Sequence, residues 1–321
     1  MPQSEFDIIE SYFNQQQIKR DDVILGIGDD AAILVSPSDK QLVIAIDTLI
    51  SGVHFPANAS AEDIGYKALA VNLSDLAAMG AEPAWFTLAL SMPESNSEWL
   101  AGFAKGLFSM AGQYQMQLIG GDTTRGPLTV SVQVAGYVPP GKGLRRAGAK
   151  SGDNIYVTGT LGDAALGLRC LQQPERLLEN QQAIAKLNRP RPRVDVGRAI
   201  RDIATACIDI SDGLLADLGH VLEQSRLGAS VDRQLIPMSE PLHALCEADE
   251  NNYRLALCGG DDYELCFCAP VNKAQAIKLL SDNLSIPISC IGVIEPQPGL
   301  RIHHAGQDCI MSTEPGYEHF K

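Results

Sequence analysis

Long apolar segments are absent from this 321-residue sequence. The longest apolar runs, such as Leu42–Ile46 and Ile288–Ile294, have the length of strands and fall far short of the roughly 20 residues that a membrane-spanning helix needs. The first ten residues are acidic and amphipathic, without the basic start and apolar core of a secretory signal. We therefore expect no membrane association and a cytoplasmic location.

Basic residues are scarce relative to acidic ones. The chain has 25 Lys and Arg residues against 39 Asp and Glu residues, a formal net charge of −14. A field of this sign repels nucleic acids and anionic membranes, so we expect no nucleic-acid partner. It also opposes phosphorylated ligands unless divalent cations lie between carboxylates and phosphates.

Cysteine is missing from the first 169 residues. The eight cysteines are Cys170, Cys207, Cys246, Cys258, Cys266, Cys268, Cys290 and Cys309. Cys266 and Cys268 alternate with Phe267 in a strand-like run, and no second close pair or histidine cluster offers zinc-ligand spacing. In a cytoplasmic protein this pattern favours reduced, mostly buried thiols over disulfides or metal ligands.

Standard nucleotide-binding signatures are also lacking. The sequence contains no Walker A motif and no Gly-x-Gly-x-x-Gly after a strand-like run. Gly159–Gly162 lies between a predicted strand and a predicted helix, where it could hold a phosphate or form a tight turn. No Ser-His-Asp or Cys-His arrangement indicates covalent catalysis.

The chain is longer than one hydrophobic core usually supports. Pro139–Gly143 holds two prolines and two glycines and is the best linker candidate. Strand-like and helix-like patterns occur in mixed order on both sides of it. The sequence therefore predicts an α/β protein (mixed α+β) with two domains, residues 1–144 and 145–321.

The first domain has clear element signals. Ser60 and Asp63 form a capping box for a helix that runs to about Met79 and stops at Gly80. Leu42–Ile46 predicts a buried strand that ends at Asp47, and Leu128–Val134 alternates as a half-buried antiparallel strand does. The other expected elements are a helix from Ser4 with Phe6, Ile9 and Phe13 on one face, a strand Phe86–Met92, a helix from Trp99 to Tyr114 and a short strand Gln117–Ile119.

Aspartates recur beside glycines or where an apolar strand is expected to end. The segments are Gly28–Asp30, Ile46–Thr48, Gly120–Asp122, Asp209–Gly213 and Gly259–Asp262. Ligands of α/β sheets bind at strand ends, and glycine lets backbone N–H groups approach a phosphate. Any one of these aspartates is more often a helix cap or turn former. Together they favour a polynuclear magnesium site, because Mg²⁺ prefers oxygen ligands.

Two further residues are candidates for the same site. Asp75 lies inside an apolar helix three residues after Asn72, where a carboxylate needs a partner. His54 lies in a polar, glycine-containing loop after Asp47, and a lone histidine there is either structural or a ligand contact.

Six segments, in order and at matching spacing, resemble the motifs of the thiamine-monophosphate kinase family. They are Gly26–Ala32, Asp47–Phe55, Lys67–Gly80, Gly120–Thr123, Asp209–Gly213 and Gly259–Leu265. The resemblance implies two α/β domains of the aminoimidazole ribonucleotide synthetase-like type, whose N-terminal domains pair in a homodimer with ATP and substrate between the domains. It also implies ATP-dependent phosphorylation of thiamine monophosphate to thiamine diphosphate, assisted by several Mg²⁺ ions.

The resemblance also implies roles for single residues. The implied magnesium ligands are Asp30, Asp47, Asp75, Asp122, Asp209 and Asp212. The implied ATP contacts are Gly121, Asp122, Arg146 and Ser211, and the implied substrate contacts are His54, Asp261 and Tyr317. Two positions depart from the family: Asp261 stands where Glu is usual, and Ala45 and Ile46 precede Asp47 where Ser or Thr is common.

The implied reaction needs no general base. A phosphate monoester has its second pKa near roughly 6, so its oxygen is already ionised at neutral pH. Positioning and charge neutralisation then carry an in-line transfer of the γ-phosphate. The alternatives are a sister ATP-dependent synthetase, for which the expected terminal cysteine is missing, and a non-catalytic thiamine-phosphate sensor.

Overall fold

The computed structural model describes residues 4–173, 180–304 and 307–308. The chain divides into two compact units. The first comprises Met1–Leu76 and Ala81–Gly141, and the second comprises Ala77–Gly80 and Lys142–Lys321. Within the described ranges, every helix is too short or too polar to cross a membrane.

The first unit contains a two-stranded ribbon and a four-stranded sheet. The strands are β1 (Val23–Leu25), β2 (Ile33–Leu34), β3 (Gln41–Ile50), β4 (Glu82–Met92), β5 (Gln117–Arg125) and β6 (Thr129–Val138). β1 pairs with β2, and the larger sheet has the order β3-β6-β4-β5. Its pairs are antiparallel except the parallel pair β4 and β5. The buried valines of β6 confirm the predicted half-buried antiparallel strand.

The helices of this unit are α1 (Glu5–Ile8), which continues as a π-helical turn Ile9–Phe13, α2 (Ala61–Ala78) and α3 (Ser97–Gln113). Ser60 caps α2 as predicted, because the Asp63 N–H donates to Ser60 Oγ, and the Ser60 hydroxyl in turn donates to the Asp63 carboxylate. α2 and α3 approach closely at two glycines. A Cβ on Gly106 would lie 1.9 Å from the Glu62 carbonyl oxygen, so only glycine fits there.

Three details of the first unit differ from the sequence prediction. β3 continues to Ile50, and the side chains of Leu42, Ile44 and Ile46 are exposed, because β3 is an edge strand with one uncovered face. β5 continues beyond the predicted Gln117–Ile119, because it pairs with β4 as far as Arg125. Phe6 is exposed, and the residues that α1 and its π-helical extension bury are Ile8 and Phe13.

The second unit contains a seven-stranded sheet. Its strands are β7 (Asn154–Thr158), β8 (Ala206–Ile210), β9 (Gly228–Asp232), β10 (Glu264–Ala269), β11 (Ile288–Glu295), β12 (Gly299–His304) and β13 (Gln307–Asp308). The order is β13-β12-β9-β11-β7-β10-β8, and only β12 and β9 are parallel.

Seven helices belong to the described part of the second unit. They are α4 (Asp163–Gln172), α5 (Gln181–Asn188), α6 (Val194–Ala199), α7 (Leu214–Ser225), α8 (Glu240–Ala248), α9 (Tyr253–Cys258) and α10 (Ala274–Leu284). The described cysteines are free thiols, of which five are buried, Cys258 is half-buried and Cys290 is exposed. This confirms the prediction of mostly buried thiols, and Cys309 lies outside the described residues.

Candidate functional site

A cavity of about 780 Å³ lies beside β5 in the first unit. Three predicted site residues border it: Asp30 in the loop between β1 and β2, and Gly121 and Asp122 on β5. The apolar part of the lining includes Phe6, Ile9, Phe13, Ile27 and Ile119. A cavity of this volume, with an apolar part and several carboxylates, suits a ligand of nucleotide size.

Glycine at position 121 is required by the packing of β5 on β4. A Cβ there would lie 1.8 Å from the carbonyl oxygen of Leu88, a distance that no side chain tolerates. Gly120–Asp122 therefore lies within a paired strand and is not the turn at a strand end that the sequence predicted. Its backbone lines the cavity with little side chain to keep a ligand away.

Asp47 also lies inside a strand rather than at its end. Asp47 pairs with Val132 of β6, which pairs with Leu88 of β4, which pairs with Gly121 of β5. The sheet thus places Asp47 and Gly121 at the same level on its two edge strands, with Asp122 one residue further along β5.

Asn72 links Asp47 to α2. The Asp47 N–H donates to Asn72 Oδ1 at 2.9 Å, and Asn72 Nδ2 donates to the Ala68 carbonyl at 2.9 Å. Asp75 follows one turn later and is the one residue between Ile64 and Ala78 that is not buried. The helix therefore carries a carboxylate at a position open to solvent or to a cation.

His54 lies in the loop after β3. Its Nδ1 accepts a hydrogen bond from the Ile50 N–H at 3.0 Å, and its carbonyl accepts one from the buried Lys67 ammonium at 3.2 Å. With Nδ1 occupied as an acceptor, the neutral ring carries its proton on Nε2. The structure thus gives His54 an anchored loop and a defined tautomer.

In the second unit, the buried Asp209 is the penultimate residue of β8, and a tight loop follows Ile210. The N–H groups of Ser211, Asp212 and Gly213 all donate to Oδ2 of Asp217, at 3.0, 3.0 and 3.1 Å. Burial raises the pKa of Asp217 to about 7, with further contributions from the charges of Asp209 and Asp212. Asp217 therefore holds the loop that carries two predicted site residues.

The turn at Asp261–Tyr263 is hydrogen-bonded to the loop that follows β8. The Asp261 N–H donates to the Ser211 carbonyl at 2.9 Å, and the Tyr263 N–H donates to the Ile210 carbonyl at 2.8 Å. A Cβ on Gly260 would lie 2.4 Å from the same Ser211 carbonyl oxygen, so glycine is needed for this contact. Ser211, a predicted ATP contact, and Asp261, a predicted substrate contact, therefore lie in hydrogen-bonded segments.

Gly159–Gly162 forms a structural turn. The N–H groups of Gly162 and Ala164 donate to the carboxylate of Asp262, at 2.8 and 3.5 Å, which occupies the place that a phosphate would take. Burial is the main reason that the pKa of Asp262 is raised well above its ordinary value. Of the two readings of this segment, the structure supports the tight turn.

The remaining predicted residues are less constrained. Arg146 is exposed shortly before β7, and Tyr317 lies outside the described residues. Sequence reasoning missed Asp217 and Tyr263. Asp217 follows Gly213 by four residues at the start of a helix, which is a capping signal, whereas nothing in the sequence marks the role of Tyr263.

A complete protein-only metal site is not present among the described residues, since no three His, Cys, Asp or Glu side chains lie close enough to hold an ion. Magnesium in nucleotide sites commonly takes one or two carboxylates, with phosphates and water as the other ligands. The predicted aspartates supply only oxygen donors, and Asp30 and Asp122 line the cavity, so the residues present fit such an ion.

Comparison with known proteins covers almost the whole chain. Residues 28–138 match the AIR synthase related protein N-terminal domain, and residues 150–305 match its C-terminal domain. The chain is 47% identical over 320 residues to thiamine-monophosphate kinase of Salmonella typhimurium, covering 98% of each protein. It is 49% identical to the crystal structure of thiamine-monophosphate kinase from Stenotrophomonas maltophilia, with a TM-score of 0.85, covering 91% of this chain and 93% of that one. AaThiL complexed with AMPPCP and TMP matches at 29% identity and a TM-score of 0.76, covering 98% and 97%.

Proposed function

The chain belongs to the thiamine-monophosphate kinase family, and we propose that it transfers the γ-phosphate of ATP directly to thiamine monophosphate. The products are thiamine diphosphate and ADP. The observation that carries the proposal is the full-length likeness to such kinases, together with a cavity at the predicted Asp30, Gly121 and Asp122. The complex of AaThiL with AMPPCP and TMP supports the same pair of ligands.

In the proposed reaction, an oxygen of the substrate phosphate attacks the γ-phosphorus as the bond from that phosphorus to the β,γ-bridging oxygen breaks. The attacking oxygen is ionised at neutral pH, so the protein has no proton to remove. The site residues accordingly supply carboxylates and backbone N–H groups rather than a base. Their task is to hold the two phosphates in line.

We propose Asp30, Asp47, Asp75, Asp122, Asp209 and Asp212 as ligands of several Mg²⁺ ions. Bound magnesium would neutralise the phosphate charge that an acidic protein otherwise repels. The residues that would contact ATP are Gly121, Asp122, Arg146 and Ser211. The apolar part of the cavity lining would give the adenine base of ATP a surface away from water. His54, Asp261 and Tyr317 would contact thiamine monophosphate.

We also propose that residues 1–144 form the ATP- and magnesium-binding domain, which pairs in a homodimer, and that residues 145–321 form the C-terminal domain that carries Asp209, Ser211 and Asp261. Support for pairing comes from the uncovered face of β3. Leu42, Ile44 and Ile46 are 42%, 52% and 63% exposed, which is unusual for three aligned aliphatic residues of one strand. A cytoplasmic location agrees with the reduced thiols.

Incubation of the purified protein with ATP, Mg²⁺ and thiamine monophosphate tests the proposal. We expect thiamine diphosphate and ADP in equal amounts. Free thiamine is the matched control, because it offers a hydroxyl in place of an ionised phosphate. Equal turnover of free thiamine, or binding of thiamine monophosphate without turnover, would contradict direct transfer to a phosphate and would favour a hydroxyl kinase or a sensor.

A further inference from the structure

Asp261 lies where a ligand can reach it. It borders a cavity of about 200 Å³ in the second unit, whose lining also includes Thr160, Lys186 and Arg191. Asp261 itself is half-buried. A carboxylate in this position can accept a hydrogen bond from a bound molecule only if its side chain points consistently to one place.

The backbone of Asp261 is held from several sides. Asp261 and Tyr263 both have left-handed backbone angles, with φ values of 68° and 50°. Such conformations are unfavourable for residues with side chains and persist where the surroundings impose them. Here the two N–H bonds to Ser211 and Ile210 and the bonds between Asp262 and the start of α4 impose them.

Glu264, the residue after Tyr263, is also held by several contacts. The carboxylate of Glu264 accepts from Arg193 Nε and Nη2, at 2.6 and 2.5 Å, and from Thr158 Oγ1 at 2.6 Å. Glu264 is 5% exposed, so this network is largely buried. The backbone on both sides of Tyr263 is therefore held in place, which fixes the position from which the Tyr263 side chain extends.

The Tyr263 hydroxyl donates a hydrogen bond to Oδ1 of Asp261 at 3.0 Å. The left-handed angles at residues 261 and 263 bring the two side chains together, although only one residue separates them. The backbone contacts set the position of Asp261, and the tyrosine hydroxyl sets the direction of its carboxylate. This bond uses one of the roughly four acceptor positions that an ionised carboxylate has.

We propose that Tyr263 is a positioning residue for substrate recognition: its hydroxyl orients the Asp261 carboxylate toward a hydrogen-bond donor of thiamine monophosphate. The inference rests on the proposed function, specifically on Asp261 as a substrate contact. It assigns Tyr263 no contact with ATP. A purely structural tyrosine would affect the stability of the protein, and would affect both substrates together if it affected either.

The test uses Tyr263→Phe, which keeps the ring and the backbone conformation and removes only the hydroxyl. Loss of one hydrogen bond predicts that the KM for thiamine monophosphate rises by about 3- to 10-fold. We expect the KM for ATP to stay within about twofold, because the carbonyl of Ser211 remains bonded to the Asp261 N–H. Calorimetric titration with thiamine monophosphate gives the same comparison without turnover.

Tyr156→Phe is the matched control. The Tyr156 hydroxyl also has a side-chain partner, accepting from Asn154 Nδ2 at 3.2 Å, and Tyr156 lies on β7 of the same unit. We expect this variant to leave both KM values unchanged. A rise in both KM values for Tyr263→Phe, or equal effects of the two variants, would overturn the inference in favour of a structural role.

Asp261→Ala separates failure of the inference from failure of the proposed function. We expect it to raise the KM for thiamine monophosphate, and we expect Tyr263→Phe to add nothing in the double variant, because no carboxylate remains to be oriented. If Asp261→Ala has this effect and Tyr263→Phe does not, Tyr263 is not a positioning residue although the substrate contact stands. If Asp261→Ala leaves the KM unchanged, the proposed contact and the inference both fail, while kinase activity itself is unaffected.

Discussion

At the residue scale, the aspartates of this chain fall into two groups according to what their carboxylates contact. The carboxylates of Asp217 and Asp262 accept hydrogen bonds from backbone N–H groups at the starts of helices, and that of Asp63 accepts one from the hydroxyl of Ser60, which caps α2. Asp30 and Asp122 instead line a cavity. The distinction separates aspartates that hold the fold from those available to a ligand.

This distinction predicts different results for the same substitution. Asn caps a helix about as well as Asp but carries no charge. We expect Asp30→Asn, Asp75→Asn, Asp122→Asn and Asp212→Asn to melt within a few degrees of the parent without metal, and each to lose at least roughly 100-fold in turnover. Asp63→Asn, which changes the carboxylate that contacts the capping Ser60 at the start of α2, should keep near-normal turnover.

Thermal melting with and without Mg²⁺ and ATP, beside steady-state turnover, makes this comparison. The four site variants should also gain less thermal stability from Mg²⁺ with ATP than the parent does. Near-normal turnover in Asp75→Asn together with Asp212→Asn would show that these residues are caps or turn formers.

At the element scale, β3 has an apolar face that nothing in the described part of the first unit covers. Its residues 42, 44 and 46 are apolar and exposed, whereas Leu49 on the other face is buried. An apolar edge strand left in water is an aggregation hazard, so we expect another copy of the chain to cover it. The homodimer is thus a prediction about this strand.

Replacement of one exposed β3 residue by a charge tests that prediction. Ile44→Lys should weaken the dimer without disturbing the buried core, because Ile44 is exposed in the single chain. Light scattering at micromolar concentration should give about twice 34.5 kDa for the parent and close to 34.5 kDa for the variant. Leu279→Lys, at a similarly exposed leucine on α10, is the control and should remain a dimer. A parent that is monomeric, or an Ile44→Lys variant as dimeric as the control, would contradict the assignment.

Elements with strong local signals were predictable from the sequence, and those set by pairing were not. The signals for the Ser60 cap of α2 and for the alternation of β6 each lie within a few residues of sequence. The lengths of β3 and β5 depend on partner strands far along the chain, so the prediction from sequence ended both strands too early. The partners of Asp217 lie four to six residues earlier, so its role had a local signal, whereas nothing in the sequence marks the left-handed backbone angles that bring the Tyr263 hydroxyl to Asp261.

At the scale of the whole molecule, a formal net charge of −14 opposes the binding of two polyanionic ligands. Aspartates at the predicted site allow that binding only if cations lie between them and the phosphates. The same arrangement removes any need for a protein base or nucleophile, because an ionised phosphate attacks directly. Direct, single-step transfer is therefore the central claim.

The most direct test follows the configuration at the transferred phosphorus. ATP made chiral at the γ-phosphorus with oxygen isotopes and sulfur is incubated with the protein, Mg²⁺ and thiamine monophosphate, and the thiamine diphosphate is analysed. One in-line displacement inverts the configuration, so the account predicts that the label lies in the terminal phosphate with inversion. Retention would require two displacements through a covalent intermediate and would contradict direct transfer. A label found anywhere other than the terminal phosphate would contradict it as well.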